Sequence, residues 1–296
     1  MSQAPDGPVA VLGLGGIGGM LVARTGALGV GTEATVEAIG AGGVTLVHDG
    51  KTIVAHPEVV TRLDRPVSLL VVAVKAFSLE AALERIEPGS LDGAVVLPLL
   101  NGLEHVELLR QRVDAVVAAG SIGAVEAFSP EPGFVVQRSS AAAITAASDE
   151  LGRDALGRVL APLDLPGIEL VVTDGERAVL WEKAARLAVL AAAAIASGKA
   201  VGELRDDPAW RRRLEAALVE ACAVAASDGV ELDAARQWSI VENLPASLVP
   251  SAARDASVGR PTELDAITGS VVRTARRLDV WTPMLDGLLA DAARHS

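Results

Sequence analysis

The chain has 296 residues, a mean hydropathy of +0.39 and a formal net charge of −12. This length allows two ordinary domains, and a composition that is 50% hydrophobic predicts compact folding rather than disorder. The negative charge disfavours nucleic acid and anionic membranes as partners, so the expected partner is a small molecule.

Three features of the sequence predict a cytoplasmic protein. Cys222 is the single cysteine, so no disulfide can form within the chain and a reduced thiol is expected. Residues 1–7 contain no basic region of the kind that opens a secretory signal. The most apolar stretch, residues 187–196, is too short to span a bilayer.

A glycine-rich turn follows the first predicted strand, residues 9–12, and leads into a helical pattern. Its three motif glycines are spaced as Gly-x-Gly-x-x-Gly: the first permits a tight bend, the second lets the backbone approach a pyrophosphate, and the third lets the helix pack close to the strand. The residues of the turn that are expected to bind a cofactor are Gly13, Gly15, Gly16, Ile17 and Gly18. The pattern predicts a dinucleotide-binding turn of the Rossmann type, with an ordinary strand-to-helix turn as the alternative.

Apolar runs and helical patterns alternate through the rest of the first half, as in a βαβ domain with a parallel sheet. The further strand-like runs are residues 69–74, 95–99 and 116–119, and the helical patterns are residues 78–86 and 103–113. Residues 44–54 and 134–145 have the pattern of flanking hairpin strands.

The second half is nearly all helical in pattern, with apolar residues at three- and four-residue spacing. The predicted helices are residues 176–197, 209–228, 233–242, 262–278 and 283–294. We therefore predict a dinucleotide-binding domain over residues 1–172 and a helical substrate and dimerisation domain over residues 173–296, with the active cleft between them.

Several chemistries are excluded by residue content. The chain has no tyrosine, so a Tyr-Lys proton relay is impossible. No metal site is predicted, because the histidines lie apart without ligand spacing and a single cysteine cannot complete a zinc site. The four histidines are His48, His56, His105 and His295.

Two lysines and one asparagine are the first candidates for chemistry. Lys75 and Asn101 follow predicted strands at the edge of the sheet where open α/β proteins bind ligands. Lys183 lies on the most apolar predicted helix, where partial desolvation should lower its pKa towards a value suited to proton donation. The alternatives are that the lysines extend to solvent and that Asn101 only shapes a turn.

Two residues of the last third are candidates with plain structural alternatives. Glu263 begins a predicted helix and would complement its dipole, and Ser251 would serve as a cap or turn residue.

Together these segments resemble the ketopantoate reductase family, the NADPH-dependent 2-dehydropantoate 2-reductases. The resemblance covers nearly the whole chain and rests on the glycine turn and on residues 72–77, 100–103, 180–183, 202–204, 251–255 and 262–265. It implies a Rossmann-type α/β domain followed by an all-α domain of the 6-phosphogluconate dehydrogenase C-terminal type.

The resemblance also implies roles for the candidate residues in hydride transfer from a nicotinamide to the carbonyl carbon of a 2-keto acid. Lys183 would be the general acid, and Glu263 would hold and polarise that lysine or the nascent hydroxyl. Ser251 would bind the carboxylate end of the substrate, while Asn101 and Lys75 would orient the cofactor and the carbonyl.

The sequence departs from the family pattern where two asparagines are expected to bind the substrate. Leu187 and Ala191 occupy these positions, one and two turns after the lysine. Loss of two amide contacts should disfavour a small polar keto acid and favour a less polar substrate.

A second departure follows the glycine turn. Residues 24–33 are short and glycine-rich, predict no second strand, and lack the arginine that binds the 2′-phosphate of NADP; Thr32 is near its position. Glu33 could instead accept a hydrogen bond from a ribose hydroxyl, which would favour NAD. The cofactor is therefore NADP(H) or NAD(H), and the short segment leaves open whether either is retained.

The leading hypothesis is an NAD(P)H-dependent reductase acting on a carbonyl or imine in a compound less polar than ketopantoate. One alternative is a redox-silent descendant that binds or cyclises a ligand in the interdomain cleft by acid/base chemistry, and another is a regulatory protein that senses the dinucleotide. The retained polar residues favour an enzyme, whereas the short segment after the glycine turn favours the redox-silent role. The apolar helical half would suit a homodimer.

Overall fold

The structure is a computed structural model that describes residues 7–295, so the prediction about residues 1–6 lies outside the described residues. The chain divides into two compact units: Met1–Leu100 with His105–Val179, and Asn101–Glu104 with Leu180–Ser296. In the described part of the chain, the first unit combines sheets and helices and the second is helical. These two architectures confirm the predicted fold class.

The first unit contains thirteen strands within the described residues. They are β1 Val9–Leu12, β2 Leu28–Val30, β3 Val44–His48, β4 Lys51–Ala55, β5 Val59–Val60, β6 Leu69–Val72, β7 Val95–Pro98, β8 Val116–Val117, β9 Ala119–Gly123, β10 Ala127–Glu131, β11 Phe134–Gln137, β12 Ala142–Ala147 and β13 Ile168–Val172. Its helices are α1 Gly16–Thr25, α2 Glu33–Gly42, α3 Leu79–Leu83, α4 His105–Arg112 and α5 Arg153–Leu160, with single 3-10 turns at Ala76–Ser78 and Ala161–Leu163.

The main sheet has six parallel strands in the order β5-β2-β1-β6-β7-β8. Numbered by their sequence within this sheet, the strands run 3-2-1-4-5-6, which is the Rossmann order. All residues of β6 and β7 are buried, as their continuous apolar sequence predicts for central parallel strands. The order reverses between β1 and β6, so the carboxyl ends of these two strands form the switch point at which such sheets bind ligands.

The second strand corrects one sequence prediction. Residues 24–33 were expected to contain no strand, but β2 pairs with β1 in parallel, with Val11 opposite Gly29. Three residues suffice because Gly29 and Gly31 donate backbone hydrogen bonds to Glu58 and Val60 on the other side. The glycine-rich composition hid the strand, because glycine has low strand propensity.

Two smaller sheets also differ from the hairpin prediction. β3 and β4 form the expected hairpin, in a sheet of order β10-β11-β3-β4. The second predicted hairpin is wrong: β11 pairs with β10 and β3, whereas β12 pairs with β9 and β13 in a separate sheet. Alternation of apolar residues identified the strands but carries no information on which strands pair.

The helices of the second half are α6 Glu176–Ser197, α7 Val201–Asp206, α8 Pro208–Ser227, α9 Ala234–Asn243, α10 Ser251–Ser257, α11 Ser270–Arg277 and α12 Pro283–Ala293. A π-helical turn, Asp265–Gly269, directly precedes α11. The first turn of α6 belongs to the first unit, where the buried Glu176 carboxylate accepts hydrogen bonds from Arg110 Nη2 (2.6 Å) and the Asp149 amide (3.0 Å).

The second unit has a core rich in small side chains. The α6 residues 188 and 191–194 are alanines with at most 1% exposure, which allows neighbouring helices to approach α6 closely. Trp181 is the largest fully buried side chain, and its indole N–H donates to Asp228 Oδ2 at 3.0 Å. In the described part of the chain, no helix has both the length and the apolar character needed to cross a membrane.

Candidate functional site

The glycine turn lies at the switch point of the six-stranded sheet. Gly13 has φ +94°, a conformation that side chains rarely adopt, and its N–H donates to Val30 O at 2.9 Å. A Cβ on Gly13 would lie 2.4 Å from Val74 Cγ1, just beyond the end of β6. The first motif glycine therefore lets three parallel strand ends, those of β1, β2 and β6, come together.

The other motif glycines differ in what surrounds them. A Cβ on Gly18 would lie 1.7 Å from Gly13 O, and one on Gly16 would lie 2.5 Å from Ala127 O, so both are required by close backbone packing. No heavy atom lies within 4 Å of a Cβ placed on Gly15, the N-cap residue of α1. Ile17, in the first turn, is half-buried.

The start of α1 fits a dinucleotide pyrophosphate in three respects. The first turn carries no acidic residue. Its first backbone N–H groups have no partner within the helix, as at every helix start. The open space beside Gly15 leaves the backbone approachable from outside the protein.

Lys75 stands three residues beyond β6, on the second strand of the switch point. Its carbonyl accepts a hydrogen bond from Ser78 N–H (2.9 Å), which closes the 3-10 turn, and the residue is half-buried. The sheet register therefore places Lys75 at the same edge as the glycine turn.

The carboxyl end of β2 is the position where Rossmann domains recognise the adenosine ribose. Thr32 caps α2 by accepting a hydrogen bond from Thr35 N–H at 3.4 Å, and Glu33 is exposed in the first turn of α2. Arg24 is engaged elsewhere, with Gln137 Oε1 at 2.8 Å, and Arg62, two residues beyond β5, pairs with Glu87 at 2.5 Å. The residues that follow β2 therefore include an exposed hydroxyl, Thr32, and an exposed acid, Glu33.

Lys183 lies in the second turn of α6, on the second unit. It is half-buried, and desolvation lowers the pKa of its ammonium to about 8, against the opposing attraction of Glu263. An ammonium with this pKa is protonated at neutral pH and releases its proton readily. The direction of the shift agrees with the predicted lowering of the pKa by desolvation.

Glu263 and Arg186 act on Lys183 in opposite directions. Glu263 is only 4% exposed and precedes the first helical residue, Leu264; its carboxylate raises the pKa of Lys183. Arg186, one turn along α6, lowers that pKa by charge repulsion. Arg186 itself donates to the amide oxygen of Gln237, a residue only 1% exposed, and lies 3.6 Å from Glu182.

Arg186 is a residue near the candidate site that sequence reasoning missed. Its spacing of three residues from Lys183 on one helix would have placed the two cations on the same face. Such a pair is the sequence signal for a lysine with a depressed pKa, once a nearby apolar stripe indicates burial.

The remaining candidates all belong to the second unit. Asn101 and Leu187 are half-buried, and so is Ser251, the first residue of α10 after Pro250. Ala191 has no exposed surface, so a ligand could reach it only if its neighbours moved. Of the two apolar replacements on α6, Leu187 is therefore the one that retains accessible surface.

We predict that Gly15→Ala will weaken dinucleotide binding without weakening the fold. The added methyl group meets no protein atom, so the free energy of unfolding should change by less than about 0.5 kcal/mol. The same methyl group occupies the space where the pyrophosphate must approach, and the Kd for NADH or NADPH should rise at least about tenfold, measured by nicotinamide fluorescence.

Gly157→Ala is the matched control, since its Cβ has only one neighbour, at 4.0 Å, and it lies inside α5. It should leave the Kd unchanged. Equal cofactor affinity in Gly15→Ala and the parent protein would contradict the assignment of the turn.

Comparison with known proteins identifies relatives over the full length. The family model "Ketopantoate reductase PanE/ApbA" matches residues 9–149, and the model of its C-terminal domain matches residues 177–294. A 2-dehydropantoate 2-reductase of Halobacterium salinarum is 30% identical over 306 residues, covering 97% of both chains.

Solved structures show the same fold. A PanE/ApbA family ketopantoate reductase from Ralstonia eutropha has a TM-score of 0.84 at 24% identity, covering 97% of both chains. A ternary structure of D-mandelate dehydrogenase with NADH and anilino(oxo)acetate has a TM-score of 0.85 at 22% identity, covering 97% of this chain and 98% of that one. The two family models span most of this sequence, and the chain belongs to the ketopantoate reductase PanE/ApbA family of oxidoreductases.

Proposed function

We propose that the protein is an NAD(P)H-dependent reductase acting on a carbonyl or an imine. Lys183 protonates the carbonyl oxygen or the imine nitrogen, and the carbon bonded to that atom receives a hydride. The observation that carries the proposal is the half-buried Lys183, with its pKa lowered to about 8 beside the buried Glu263, in a chain of this family. A lysine with an ordinary pKa would hold its proton too tightly for efficient transfer at neutral pH.

The residues divide the work as follows. A bound nicotinamide cofactor supplies the hydride. The glycine turn holds the pyrophosphate and Lys75 helps to orient the cofactor, both from the first unit. Lys183 transfers its proton to the substrate and is then reprotonated by solvent. Glu263 stabilises the ammonium before the transfer. Asn101 orients the carbonyl and Ser251 binds the carboxylate end of the substrate.

Leu187 supports a substrate less polar than ketopantoate. A half-buried leucine one turn beyond Lys183 offers apolar surface where an amide would offer hydrogen bonds. The D-mandelate dehydrogenase that shares this fold was solved with anilino(oxo)acetate, a 2-oxo acid derivative with an aromatic group. We therefore propose 2-oxo acids with aromatic or branched apolar groups as the substrates to test.

NADH is the proposed cofactor. An acid at the carboxyl end of β2 accepts hydrogen bonds from a ribose diol and repels a 2′-phosphate. Glu33, three residues beyond the end of β2, is the first acid after this strand, and the two arginines on neighbouring elements, Arg24 and Arg62, are bound to other side chains.

The redox-silent alternative has lost its main support. It depended on a segment after the glycine turn that was thought too short for the second strand, and β2 is present with its pairing to β1 and β5. The assignment of residues 173–296 to substrate binding and to a homodimer interface stays a prediction.

The proposed reaction predicts oxidation of NADH that depends on both a 2-oxo acid and Lys183. Purified protein should oxidise NADH with phenylglyoxylate or a branched 2-oxo acid, followed at 340 nm. Lys183→Ala should lower kcat by a factor of about 10²–10⁴ because the proton donor is lost, while the Kd for NADH stays unchanged. Lys199→Ala is the control and should keep its activity, since Lys199 pairs with Asp207 at 2.9 Å. Undiminished turnover in Lys183→Ala would rule out its role as proton donor.

The pH dependence of kcat/KM should follow the ammonium of Lys183. Protonated lysine is the active form, so activity should be constant below about pH 8 and then fall tenfold per pH unit. Glu263→Gln removes the charge that raises the pKa of Lys183 and should move the fall to lower pH. Arg186→Gln removes the charge that lowers this pKa and should move the fall to higher pH. Shifts in the same direction for both variants would contradict the assignment.

Glu33 should determine the choice between NADH and NADPH. We expect the parent protein to bind NADH about tenfold more tightly than NADPH, because a 2′-phosphate near a carboxylate costs about 1.4 kcal/mol of binding free energy at a protein surface. Glu33→Gln should lower the Kd for NADPH and so reduce the ratio of the Kd for NADPH to the Kd for NADH. Glu37→Gln, on an exposed residue one turn later in α2, is the control and should leave the ratio unchanged. Preference of the parent protein for NADPH would refute the proposal.

A further inference from the structure

The turn that carries Asn101 makes an unusually close backbone contact with the π-helical turn. Gly102 has φ +97°, and a Cβ placed on it would lie 2.0 Å from Ala266 O. Any residue with a side chain would clash with this carbonyl, so only glycine allows the two backbones to come this close. The position of Asn101 is therefore set by the π-helical turn against which Gly102 packs.

The π-helical turn is itself tied to the helix that carries Lys183. The hydroxyl of Thr268, a residue with no exposed surface, donates to Ala188 O of α6 at 2.7 Å. Ala188 stands between the positions of Leu187 and Ala191. A π-helical turn is rare, and such turns occur often at functional sites because the widened turn re-aims the residues around it.

Arg273 of α11 joins the segment 101–104 to the π-helical turn. Its Nε and Nη2 donate to the two carboxylate oxygens of Glu104, at 2.9 and 2.7 Å, and its Nη1 donates to Asp265 Oδ1 at 2.7 Å. Nη2 also donates to the backbone carbonyl of Asp265 at 3.2 Å. One planar guanidinium thus binds the end of the Asn101–Glu104 segment and the first residue of the π-helical turn.

This ion network contributes more to the orientation of the two segments than to the stability of the fold. Side chains of Arg273 and Glu104 are 41% and 52% exposed, and ion pairs at that exposure contribute little to the free energy of unfolding. A two-pronged arginine-carboxylate pair nevertheless fixes relative orientation, which a lysine with a single rotating ammonium does not. Gly269 lies directly under this network, since a Cβ there would lie 2.8 Å from Asp265 Oδ1 and 3.0 Å from Arg273 Nη1.

We propose that Arg273 is a positioning residue for the reductase reaction, which holds the Asn101–Gly102 turn on the π-helical turn through Glu104 and Asp265 and so fixes Asn101 in its working position. The proposal rests on the proposed function for the role of Asn101. Arg273 touches neither substrate nor cofactor in this scheme.

The test compares Arg273→Gln, Arg273→Lys and Glu104→Gln with the control Arg276→Gln. Arg276 lies on the same helix and forms an exposed ion pair with Asp286 at 2.8 Å, but has no contact of this kind with residues 101–104. The readouts are Tm, kcat and KM for NADH oxidation with a 2-oxo acid, and hydrogen exchange of the backbone amides of residues 101–104.

In Arg273→Gln we expect kcat to fall roughly ten- to a hundredfold, since a small displacement of an orienting group costs rate. Tm should shift by less than about 3 °C, because the lost ion pairs are exposed. Exchange of amides 101–104 should become faster. Glu104→Gln should reproduce these changes, Arg273→Lys should recover kcat only in part, and Arg276→Gln should match the parent protein. The double variant Arg273→Gln with Glu104→Gln should lose much less kcat than the product of the two single losses, because both substitutions break the same contact.

Two results would overturn the proposal. One is unchanged exchange of amides 101–104 in Arg273→Gln, which would show that the arginine does not hold the turn whether or not the protein is a reductase. The other is an active parent protein whose kcat is unaffected by both Arg273→Gln and Glu104→Gln. A parent protein without reductase activity would refute the proposed function instead, and the exchange measurement would still decide whether the arginine holds the turn. If Arg273→Gln fails to fold, Glu104→Gln carries the same comparison.

Discussion

The buried ammonium of Lys183 is the group on which the proposed chemistry depends. Placing a lysine on a helix whose neighbouring positions are buried alanines costs free energy, and the cost appears as a pKa near 8. The negative charge of Glu263 stabilises the ammonium and raises this pKa, whereas the positive charge of Arg186 destabilises the ammonium and lowers it. The lysine is therefore held between two charges of opposite sign, and its readiness to release a proton is adjustable in both directions.

Glycines that permit close backbone packing occur in both candidate segments. In the first unit, Gly13 and Gly18 bring a helix start within touching distance of a strand end. In the second unit, Gly102 does the same for a turn and a π-helical carbonyl. Gly15 differs from these because nothing in the protein needs its small size. Its small size is therefore available to a ligand, which is what the Gly15→Ala variant tests.

The sequence predicted the parts of the fold that have strong periodicity and missed those set by pairing. β1 and α6 have the predicted bounds, because each combines an uninterrupted apolar pattern with a glycine or polar boundary. The run predicted over 116–119 instead divides into β8 and β9, which belong to different sheets. β2 was missed because three residues with a central glycine have no detectable period, and its existence depends on hydrogen bonds to strands on either side.

The same distinction holds for the candidate site. Lys183 and its lowered pKa follow from one helix and its apolar face, so local sequence sufficed. Glu263 was found through resemblance to a family, because 80 residues separate it from the lysine on which it acts. The π-helical turn was not predicted, since residues 262–278 have an ordinary helical pattern. The hydrogen bonds of Thr268 to Ala188 and of Arg273 to Glu104 join this segment to residues far away in sequence.

Exposed ion pairs and buried packing have separate tasks in the second unit. Its stability comes from the small-residue core around α6, which ion pairs at the surface hardly affect. Orientation is different, because a two-pronged hydrogen bond fixes the relative orientation of the two segments that it joins. An arginine that contributes little to the free energy of unfolding can therefore hold a turn in place, which is the role proposed for Arg273.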